Sequence, residues 1–344
     1  MMAKKVLVGL SGGVDSTVTA KLLLDAGYDV EGVYMKLHNK PNYHEENFKR
    51  VQYVADYLGI KASMLDLSKD FEEAVYKPFI ESYRAGYTPN PCVNCNREIK
   101  FGKMLEYADK VGADFLATGH YVRDDGKYIL VAKDKNKDQS YFLFDIDKNI
   151  IPRLIFPLGE WKKEDVKVYA SKIDALKNFA TQKESSEICF VETTYVDILK
   201  EHMNVDMPGE VLDIDGNVIG HHKGYMHYTI GKRRGFFVKG AHEPHYVKEI
   251  KPKTNQIVVT TQDTLLAKKI MIERLNMIDD RKSFSCDVKI RYRTKRIKCQ
   301  VEIDDKSIGV IYLDESVYGV AVGQAAVFYE GEKLLGGGWI TGSE

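Results

Sequence analysis

The 344-residue sequence lacks several features that mark whole classes of protein. It has no run of about eighteen apolar residues, which predicts that no helix crosses a membrane. Its N-terminal apolar stretch is short and interrupted by glycines, which is typical of a first β-strand and not of an export signal. Internal repeats, low-complexity stretches and proline-rich linkers are also missing. These absences favour a globular cytoplasmic protein of two or three domains.

The chain also lacks net charge, because 50 lysines and arginines balance 50 aspartates and glutamates. Such a protein can bind a polyanion only where positive charge is concentrated locally. Two acid-free stretches provide this concentration: residues 221–240 contain five lysines and arginines, and residues 289–298 contain six. One stretch alone is equally typical of a solvated strand face, but two that are interleaved with aromatic residues favour a nucleic-acid surface.

The order of the predicted elements indicates an α/β domain followed by β structure. Up to about residue 200, short apolar strands alternate with helices, among them helices over 45–58, 71–84 and 97–111. This alternation predicts a doubly wound parallel sheet with its ligand at the carboxyl ends of the strands. Later segments alternate around turn dipeptides, which predicts a small β-rich linking domain and a C-terminal β-barrel. We therefore predict domains over 1–200, 201–265 and 266–344.

The strongest local motif is a glycine loop, SGGVDS, over residues 11–16 between a strand and a helix. Glycines let backbone amides approach a phosphate, and Asp15 offers oxygen ligands for magnesium. The loop has no Gly-Lys-Ser/Thr ending and no GxGxxG pattern, so it is neither a kinase-type phosphate loop nor a dinucleotide fingerprint. It resembles the pyrophosphate loop (PP-loop) of ATP pyrophosphatases, which adenylate their substrates, whereas a purely structural turn is the alternative.

Five cysteines are few enough to be considered one by one. In a reducing compartment, catalysis or metal binding explains cysteine pairs better than structural disulfides do. Cys92 and Cys95 form a Cys-x-x-Cys pair, for which metal binding, redox exchange and persulfide chemistry all remain open. Cys189 lies far along the chain in an Ile-Cys-Phe context, where packing is the common role. Cys286 and Cys299 fall at alternating strand positions and are interpreted as structural.

Taken together, the motifs resemble the bacterial tRNA-specific 2-thiouridylase family over essentially the whole chain. The strings that carry the resemblance are GLSGGVDS (9–16), TPNPCVNCNREIKF (88–101), TGHY (118–121), KDQSYFLF (137–144), FPLG (156–159), ICFV (188–191), YTIGKRRG (228–235), GQAAVFY (323–329) and GGGWI (336–340). The glycine loop alone would be shared with other ATP pyrophosphatases, such as amidotransferase-type synthetases. A synthetase of that kind would have no use for a basic β-rich C-terminal third.

The resemblance implies a tRNA-uridine 2-sulfurtransferase that uses ATP and Mg²⁺. It implies that ATP activates O2 of the wobble uridine in lysine, glutamate and glutamine tRNAs, and that a cysteine persulfide then displaces AMP. An upstream cysteine desulfurase or sulfur-relay protein would supply the sulfur. The implied nucleotide site comprises Gly9, Leu10, Ser11, Gly12, Gly13, Val14, Asp15, Ser16, Met35 and Gly119. Cys95 matches the nucleophile, and Cys189 matches the persulfide-bearing cysteine.

The resemblance also implies a set of residues that touch tRNA. Asn90, Pro91 and Cys92 match the loop that meets the target base. The other matching positions are His120, Lys137, Asp138, Gln139, Arg291, Tyr292 and Gln324. A non-catalytic RNA-binding protein with a nucleotide pocket is a rival interpretation, but such a protein would need neither Cys95 nor Cys189.

One position departs from the family pattern, because Cys92 stands where the best-known members carry an aspartate. The departure puts the acid–base role of that aspartate in doubt and supplies a third cysteine. Cys92, Cys95 and Cys189 are therefore also a possible ligand set for a [4Fe–4S] cluster with one open iron. A cluster-dependent tRNA thiolase acting on another position, the cluster-free persulfide route and a zinc site all stay open at this point.

Overall fold

The computed structural model describes residues 3–173, 176–177, 188–191 and 193–344. The chain forms two compact units, each assembled from separate segments. The first contains Met1–Tyr76, Cys92–Glu184 and Gly331–Leu335, and the second contains Lys77–Pro91, Ser185–Glu330 and Gly336–Glu344. In the part of the chain that the structure describes, every helix is too short or too polar to cross a membrane.

The helices follow the apolar periodicity of the sequence for the most part. Helix α1 (Val14–Asp25) buries Ala20 and Leu23 against strand residues, and helix α2 (Tyr43–Leu58) is capped by Gly59, whose φ of 68° favours glycine. The α-helices of the described residues are α1 (Val14–Asp25), α2 (Tyr43–Leu58), α3 (Ser68–Phe71), α4 (Lys77–Arg84), α5 (Pro91–Asn94), α6 (Met104–Lys110), α7 (Lys163–Ser171) and α8 (Tyr195–His202). Short 3₁₀ helices cover Ser140–Leu143, Lys148–Arg153, Pro157–Glu160, Tyr225–His227, Pro252–Thr254 and Asp263–Leu265.

A parallel sheet forms the centre of the first unit, as the alternation of strands and helices predicted. The strands of this unit are β1 (Lys5–Gly9), β2 (Asp29–Lys36), β3 (Lys61–Asp66), β4 (Phe115–Ala117), β5 (Val122–Asp124), β6 (Ile129–Val131) and β7 (Leu154–Ile155). The sheet order is β3-β2-β1-β4-β7, and β5 and β6 form an antiparallel hairpin outside this sheet, in which Leu130 pairs with Lys333. Because the order reverses direction at β1, a crevice opens at the carboxyl ends of β1 and β4.

Two predicted helices are wrong in detail, and the reason is the same for both. The helix predicted over 71–84 is split into α3, a π-helical segment Glu72–Tyr76 and α4. The helix predicted over 97–111 begins earlier, with α5, and passes through a second π-helical segment, Cys95–Lys103, before α6. A π turn admits an additional residue, so its phase shift is not visible to a pattern search at 3.6 residues per turn.

The second unit contains the two predicted β structures. A five-stranded sheet comprises β8 (Gly209–Leu212), β9 (Val218–His222), β10 (Phe236–Val238), β11 (Tyr246–Lys251) and β12 (Gln256–Thr260), in the order β10-β9-β8-β12-β11. A barrel follows, built from β13 (Leu266–Met277), β14 (Ser283–Lys289), β15 (Ile297–Ile303), β16 (Gly309–Tyr318), β17 (Ala325–Glu330) and β18 (Lys333–Ser343). Pairing of β13 with β18 closes the barrel. The predicted fold class is thus confirmed.

The two barrel cysteines face each other across a strand pair. Cys286 in β14 lies opposite Cys299 in β15, and their sulfur atoms are 3.6 Å apart. Contact with Cys299 and burial raise the pKa of the Cys286 thiol, so this thiol stays protonated at neutral pH. Cys286 therefore lacks the thiolate character that a nucleophile needs.

Candidate active site

The glycine loop joins β1 to α1 and is closed by its own serines. The Ser16 hydroxyl accepts a hydrogen bond from the Ser11 amide (3.1 Å) and donates one to the Gly13 carbonyl (3.1 Å). Gly12 adopts a φ of 75°, where a residue with a side chain would be strained. Within the described ranges no side chain caps the first turn of α1, so its amides are available to an anion at the carboxyl end of β1.

The segment after β4 packs directly against this loop. A Cβ atom added to Gly119 would lie 3.2 Å from the Cβ atom of Asp15 and 3.2 Å from the Ser16 amide nitrogen. Contacts this short are tighter than side chains normally make, so only glycine fits without displacing the loop. The structure therefore brings Gly119 and the glycine loop together at the crevice that the strand order creates.

A lysine that the sequence analysis missed is attached to the glycine loop. The Lys163 ammonium, at the start of α7, donates to both carboxylate oxygens of Asp15 at 2.7 Å, and the Tyr121 hydroxyl donates to one of them at 2.8 Å. The Lys163 side chain is only 10% exposed, whereas that of Asp15 is 33% exposed. A lysine in the first turn of a helix is unfavourable, because its charge opposes the helix dipole. This unusual position is the feature of the sequence that could have identified Lys163.

The far side of the crevice is formed by the end of β2 and the loop after it. Met35, the predicted adenine contact, lies next to the last residue of β2 and pairs with Leu65 of β3. Beyond it, the Tyr34 hydroxyl contacts His44 Nδ1 at 2.8 Å, and His44 Nε2 contacts His38 Nδ1 at 3.1 Å. Burial lowers the pKa of His44 to about 4, so the His44 ring is neutral at physiological pH.

The predicted nucleophile opens a π-helical segment. Cys95 is buried at its first position, and Cys92 is half-buried in the preceding helix α5. The Asn96 amide donates to the Phe142 carbonyl at 3.0 Å, while its buried Oδ1 has no hydrogen-bond partner among the described residues. π-helical turns are frequent at functional sites because they turn a side chain out of the regular ladder.

The positive charge of the residues that follow Cys95 is only partly available to the thiols. Arg97 pairs with the buried carboxylate of Asp145 at 3.1 Å and with Glu98 at 3.1 Å, so carboxylates compensate its charge. Lys100 instead lies 3.4 Å from His120 Nε2. Of Arg97 and Lys100, Lys100 is therefore the better source of a field that favours a thiolate.

His120 is a buried neutral histidine. Its Nδ1 atom is 2.7 Å from the Thr118 hydroxyl, and burial together with the Lys100 charge holds its pKa well below the usual range. Because an ammonium group can only donate, Nε2 accepts from Lys100 and the ring proton is assigned to Nδ1. This predicted tRNA contact is thus held within the first unit by hydrogen bonds on both ring nitrogens.

The predicted tRNA contacts at 137–139 lie beside the nucleotide loop. Asp138 is buried and accepts bonds from the Ala132 amide and from both the amide and the hydroxyl of Ser140. Gln139 exchanges two bonds with Tyr121, whose hydroxyl also reaches the glycine loop. Lys137 is half-buried. In this arrangement Asp138 stabilises the turn that presents Lys137 and Gln139.

In the second unit the predicted tRNA residues form two groups. Gln324 donates to the carbonyl oxygens of Thr88 and Pro89, each at 3.0 Å, and thereby holds the loop that leads to Asn90 and Pro91. Asn90 is itself buried.

Arg291 forms the other group with Tyr292, after β14. Its guanidinium donates to the Ile230 carbonyl at 3.0 Å, and the neighbouring Tyr292 ring lies 5.5 Å from the Lys289 ammonium. Arg291 therefore sits next to the YTIGKRRG segment of the same unit.

All five cysteines lie among the described residues, and none is in a disulfide. Cys189 is exposed and belongs to the second unit, where its neighbour Phe190 packs edge-on against Phe79 of α4. Over the described ranges, no group of three or more histidine, cysteine, aspartate or glutamate side chains is placed to hold a metal ion.

Comparison with known proteins gives matches along nearly the entire chain. Three family models match consecutive segments: the tRNA methyl transferase HUP domain over 4–193, the tRNA methyl transferase PRC-barrel domain over 196–261 and the aminomethyltransferase beta-barrel domain over 267–340. The chain is 59% identical over 340 residues to the tRNA-specific 2-thiouridylase MnmA of Sulfurimonas denitrificans, covering 98% of this chain and 99% of the relative. It is 58% identical to the protein of that name from a Nitratiruptor species, covering 99% and 100%. A Campylobacter jejuni relative of the same name is 57% identical, covering 98% and 99%.

Proposed function

Because the chain belongs to the tRNA-specific 2-thiouridylase family, we propose that it uses ATP to adenylate O2 of the wobble uridine in tRNA and then replaces that oxygen with sulfur. The observation that carries the proposal is the anion-binding loop at the carboxyl end of β1, packed against Gly119 after β4. On the basis of the resemblance, we assign lysine, glutamate and glutamine tRNAs as the substrates. AMP and pyrophosphate are the other products.

Adenylation uses the groups at the glycine loop. The amides at the start of α1 bind the β- and γ-phosphates, which leave as pyrophosphate when O2 attacks the α-phosphorus. The loop itself contains no lysine, and Lys163 provides the cation from α7, an assignment that its two 2.7 Å contacts with Asp15 support. Preorganised positive charge of this kind stabilises the negative charge that develops on the leaving group.

Asp15 orients this lysine. Both of its carboxylate oxygens already accept bonds from Lys163 or Tyr121, so Asp15 would have to release Lys163 in order to ligate a metal ion. Magnesium bound with ATP supplies further neutralisation of phosphate charge. Asp15 can therefore ligate magnesium only after it releases Lys163, and no step of the proposed reaction depends on a metal ion at Asp15.

Sulfur transfer uses two thiols. The terminal sulfur of a Cys189 persulfide attacks C2 of the adenylated uridine, and AMP leaves with the former O2 atom. The Cys95 thiolate then attacks the Cys189 sulfur, which releases the 2-thiouridine and leaves a Cys95–Cys189 disulfide. A dithiol reductant restores both thiols, and a persulfide from a cysteine desulfurase or relay protein reloads Cys189. We assign the reaction to the cytoplasm, where tRNA and ATP are found.

The hypothesis of a [4Fe–4S] cluster rests on the sequence alone. Since the described residues include no group of three metal-ligating side chains, no step is routed through a [4Fe–4S] cluster or a zinc ion. Cys92 is then one of the residues of the base-contacting loop, and not a ligand. Its substitution by alanine should leave thiolation within about three-fold of the native rate, whereas loss of one ligand of a cluster would abolish activity.

The test is an anaerobic reaction of the purified protein with unmodified lysine tRNA, ATP, magnesium and a persulfide source. Mass spectrometry of the digested tRNA measures 2-thiouridine, and AMP and pyrophosphate are quantified in parallel. We expect thiolated uridine with stoichiometric AMP, and loss of thiolation with retained tRNA binding for Cys95→Ala and Cys189→Ala. Cys286→Ala, in the barrel, is the matched control. Absence of both AMP and 2-thiouridine, with tRNA and persulfide present, would refute the function.

A further inference from the structure

The acid-free stretch over 221–240 contains a loop that the barrel holds in place. Its glycine at position 231 donates to the Val247 carbonyl at 2.8 Å, and the carbonyl of the same glycine accepts from the Tyr318 hydroxyl at 2.7 Å. The Tyr228 hydroxyl donates to the Gly235 carbonyl at the other end of the loop. These bonds restrict the loop, so Arg233 and Arg234 are presented to solvent from a fixed backbone.

An exposed aromatic pair follows the arginines. Phe237 is 52% exposed on β10, an edge strand of the five-stranded sheet, and it lies directly opposite His221 of β9. The two rings are 5.1 Å apart between centroids and inclined by 33°. Gly220 permits this pairing, because a Cβ atom there would lie 1.8 Å from the Phe237 carbonyl oxygen.

Such a pair is unusual as a surface element, because an exposed phenylalanine gives up the free energy that burial would provide. Exposed aromatic rings beside lysines and arginines are the arrangement that binds unpaired nucleobases. Base stacking needs one accessible ring face, and phosphates need cations at the distance of a neighbouring nucleotide. Phe237 provides the ring, and Arg233, Arg234 and Lys239 are exposed on the same short segment.

We propose that Phe237 and His221 form a stacking platform for an unpaired base of bound tRNA, with Arg233, Arg234 and Lys239 binding the adjacent phosphates. The proposal rests on the proposed function, since it takes tRNA as the ligand. It assigns a role to the YTIGKRRG segment, which the reaction chemistry leaves unused. It also adds to the proposed function a tRNA contact that is distant in sequence from every residue expected to touch the target base.

A carboxylate limits what can bind beside the platform. Glu210 of β8 lies opposite His221, on the side away from Phe237, and accepts a bond from the Gln256 amide at 2.8 Å. A phosphate on that side would be repelled, whereas a base can donate an exocyclic amino group to a carboxylate. The platform is therefore suited to a base over His221 and Phe237, with the phosphates on the arginine side.

The test measures binding of unmodified lysine tRNA and the kinetics of its thiolation. Phe237→Ala should raise both the Kd and the KM for tRNA by about ten-fold while kcat stays within about two-fold, because stacking contributes to binding and not to chemistry. Phe237→Trp should restore native affinity. Val218→Ala is the matched control, because Val218 is 58% exposed on β9 but lies outside the three residues of that strand, 220–222, that pair with β10.

A second measurement separates the phosphate contacts from the stacking contact. The double variant Arg233→Gln/Arg234→Gln should lower the slope of log Kd against log salt by about two, whereas Phe237→Ala should leave that slope unchanged. Unchanged tRNA affinity in Phe237→Ala, with the native protein active in thiolation, would overturn the platform. A native protein that binds tRNA but forms no 2-thiouridine would instead count against the proposed function.

Discussion

Replacing Lys163 by methionine is the most direct test of the nucleotide site. The substitution keeps the length of the side chain but removes the ammonium group that lies 2.7 Å from both oxygens of Asp15. The Asp15 carboxylate is then left with the Tyr121 hydroxyl alone. Breaking a fully buried pair costs about 3–5 kcal/mol, but Asp15 is 33% exposed, so water can replace part of the lost interaction. We expect a destabilisation of about 2 kcal/mol, or a fall of about 4–8 °C in the thermal midpoint of the first unit.

The catalytic effect should exceed what that loss of stability explains. If Lys163 stabilises the departing pyrophosphate, its removal should lower the rate of AMP formation about 100-fold at a temperature where the variant is fully folded. Pyrophosphate release in single-turnover reactions is the assay. Lys162→Met is the matched control, because Lys162 is the preceding residue and is exposed.

A double variant distinguishes a chemical role from a structural one. Asp15→Asn combined with Lys163→Met removes the unpaired carboxylate, so the thermal midpoint should recover. The rate of AMP formation should not recover, since the cation is still missing. Recovery of both quantities together, or a native rate in Lys163→Met, would show that the lysine serves only to hold the loop.

Three further outcomes follow from the described contacts. Gly119→Ala should raise the KM for ATP about ten-fold, since its Cβ would press on the glycine loop at 3.2 Å; a native KM would contradict this packing. Because burial lowers the pKa of His44 to about 4, the stability that it contributes is present above its ordinary value near 6.5 and is lost as the pH falls through that interval. His44→Gln should accordingly flatten the dependence of the thermal midpoint on pH between about 6.5 and 4. An unchanged slope would argue against this contribution of His44 to stability. Gln324→Leu removes the bonds to Thr88 and Pro89 and should speed hydrogen exchange at the Thr88 and Asn90 amides, which mass spectrometry can compare with exchange in β1.

The thiols and the nucleotide loop were accessible from sequence for different reasons. The loop over 11–16 could be recognised from a local pattern, because its glycines, its serines and the helix that follows are contiguous in the sequence. Cys95 was identified through the resemblance, whereas its position at the start of a π-helical segment was not expected. The domain boundaries near 200 and 265 and the roles of the individual site residues stay predictions.

The sequence by itself determined the features that depend only on residues close together along the chain. Alternating apolar runs specify buried strands and helices, and the glycines at 12 and 13 specify a loop that can receive a phosphate. Acid-free stretches showed where positive charge is concentrated. Such features are set by local sterics and local charge, so they can be seen before the chain is folded.

Only the tertiary structure decided which distant groups meet. Lys163 reaches Asp15 across 148 positions of the chain, and the strand order places Gly119 against the same loop. The register of β9 and β10 likewise puts His221 beside Phe237, and a shift by one residue would turn them to opposite faces. Side-chain contacts between remote segments depend on register and packing, which no local pattern in the sequence encodes.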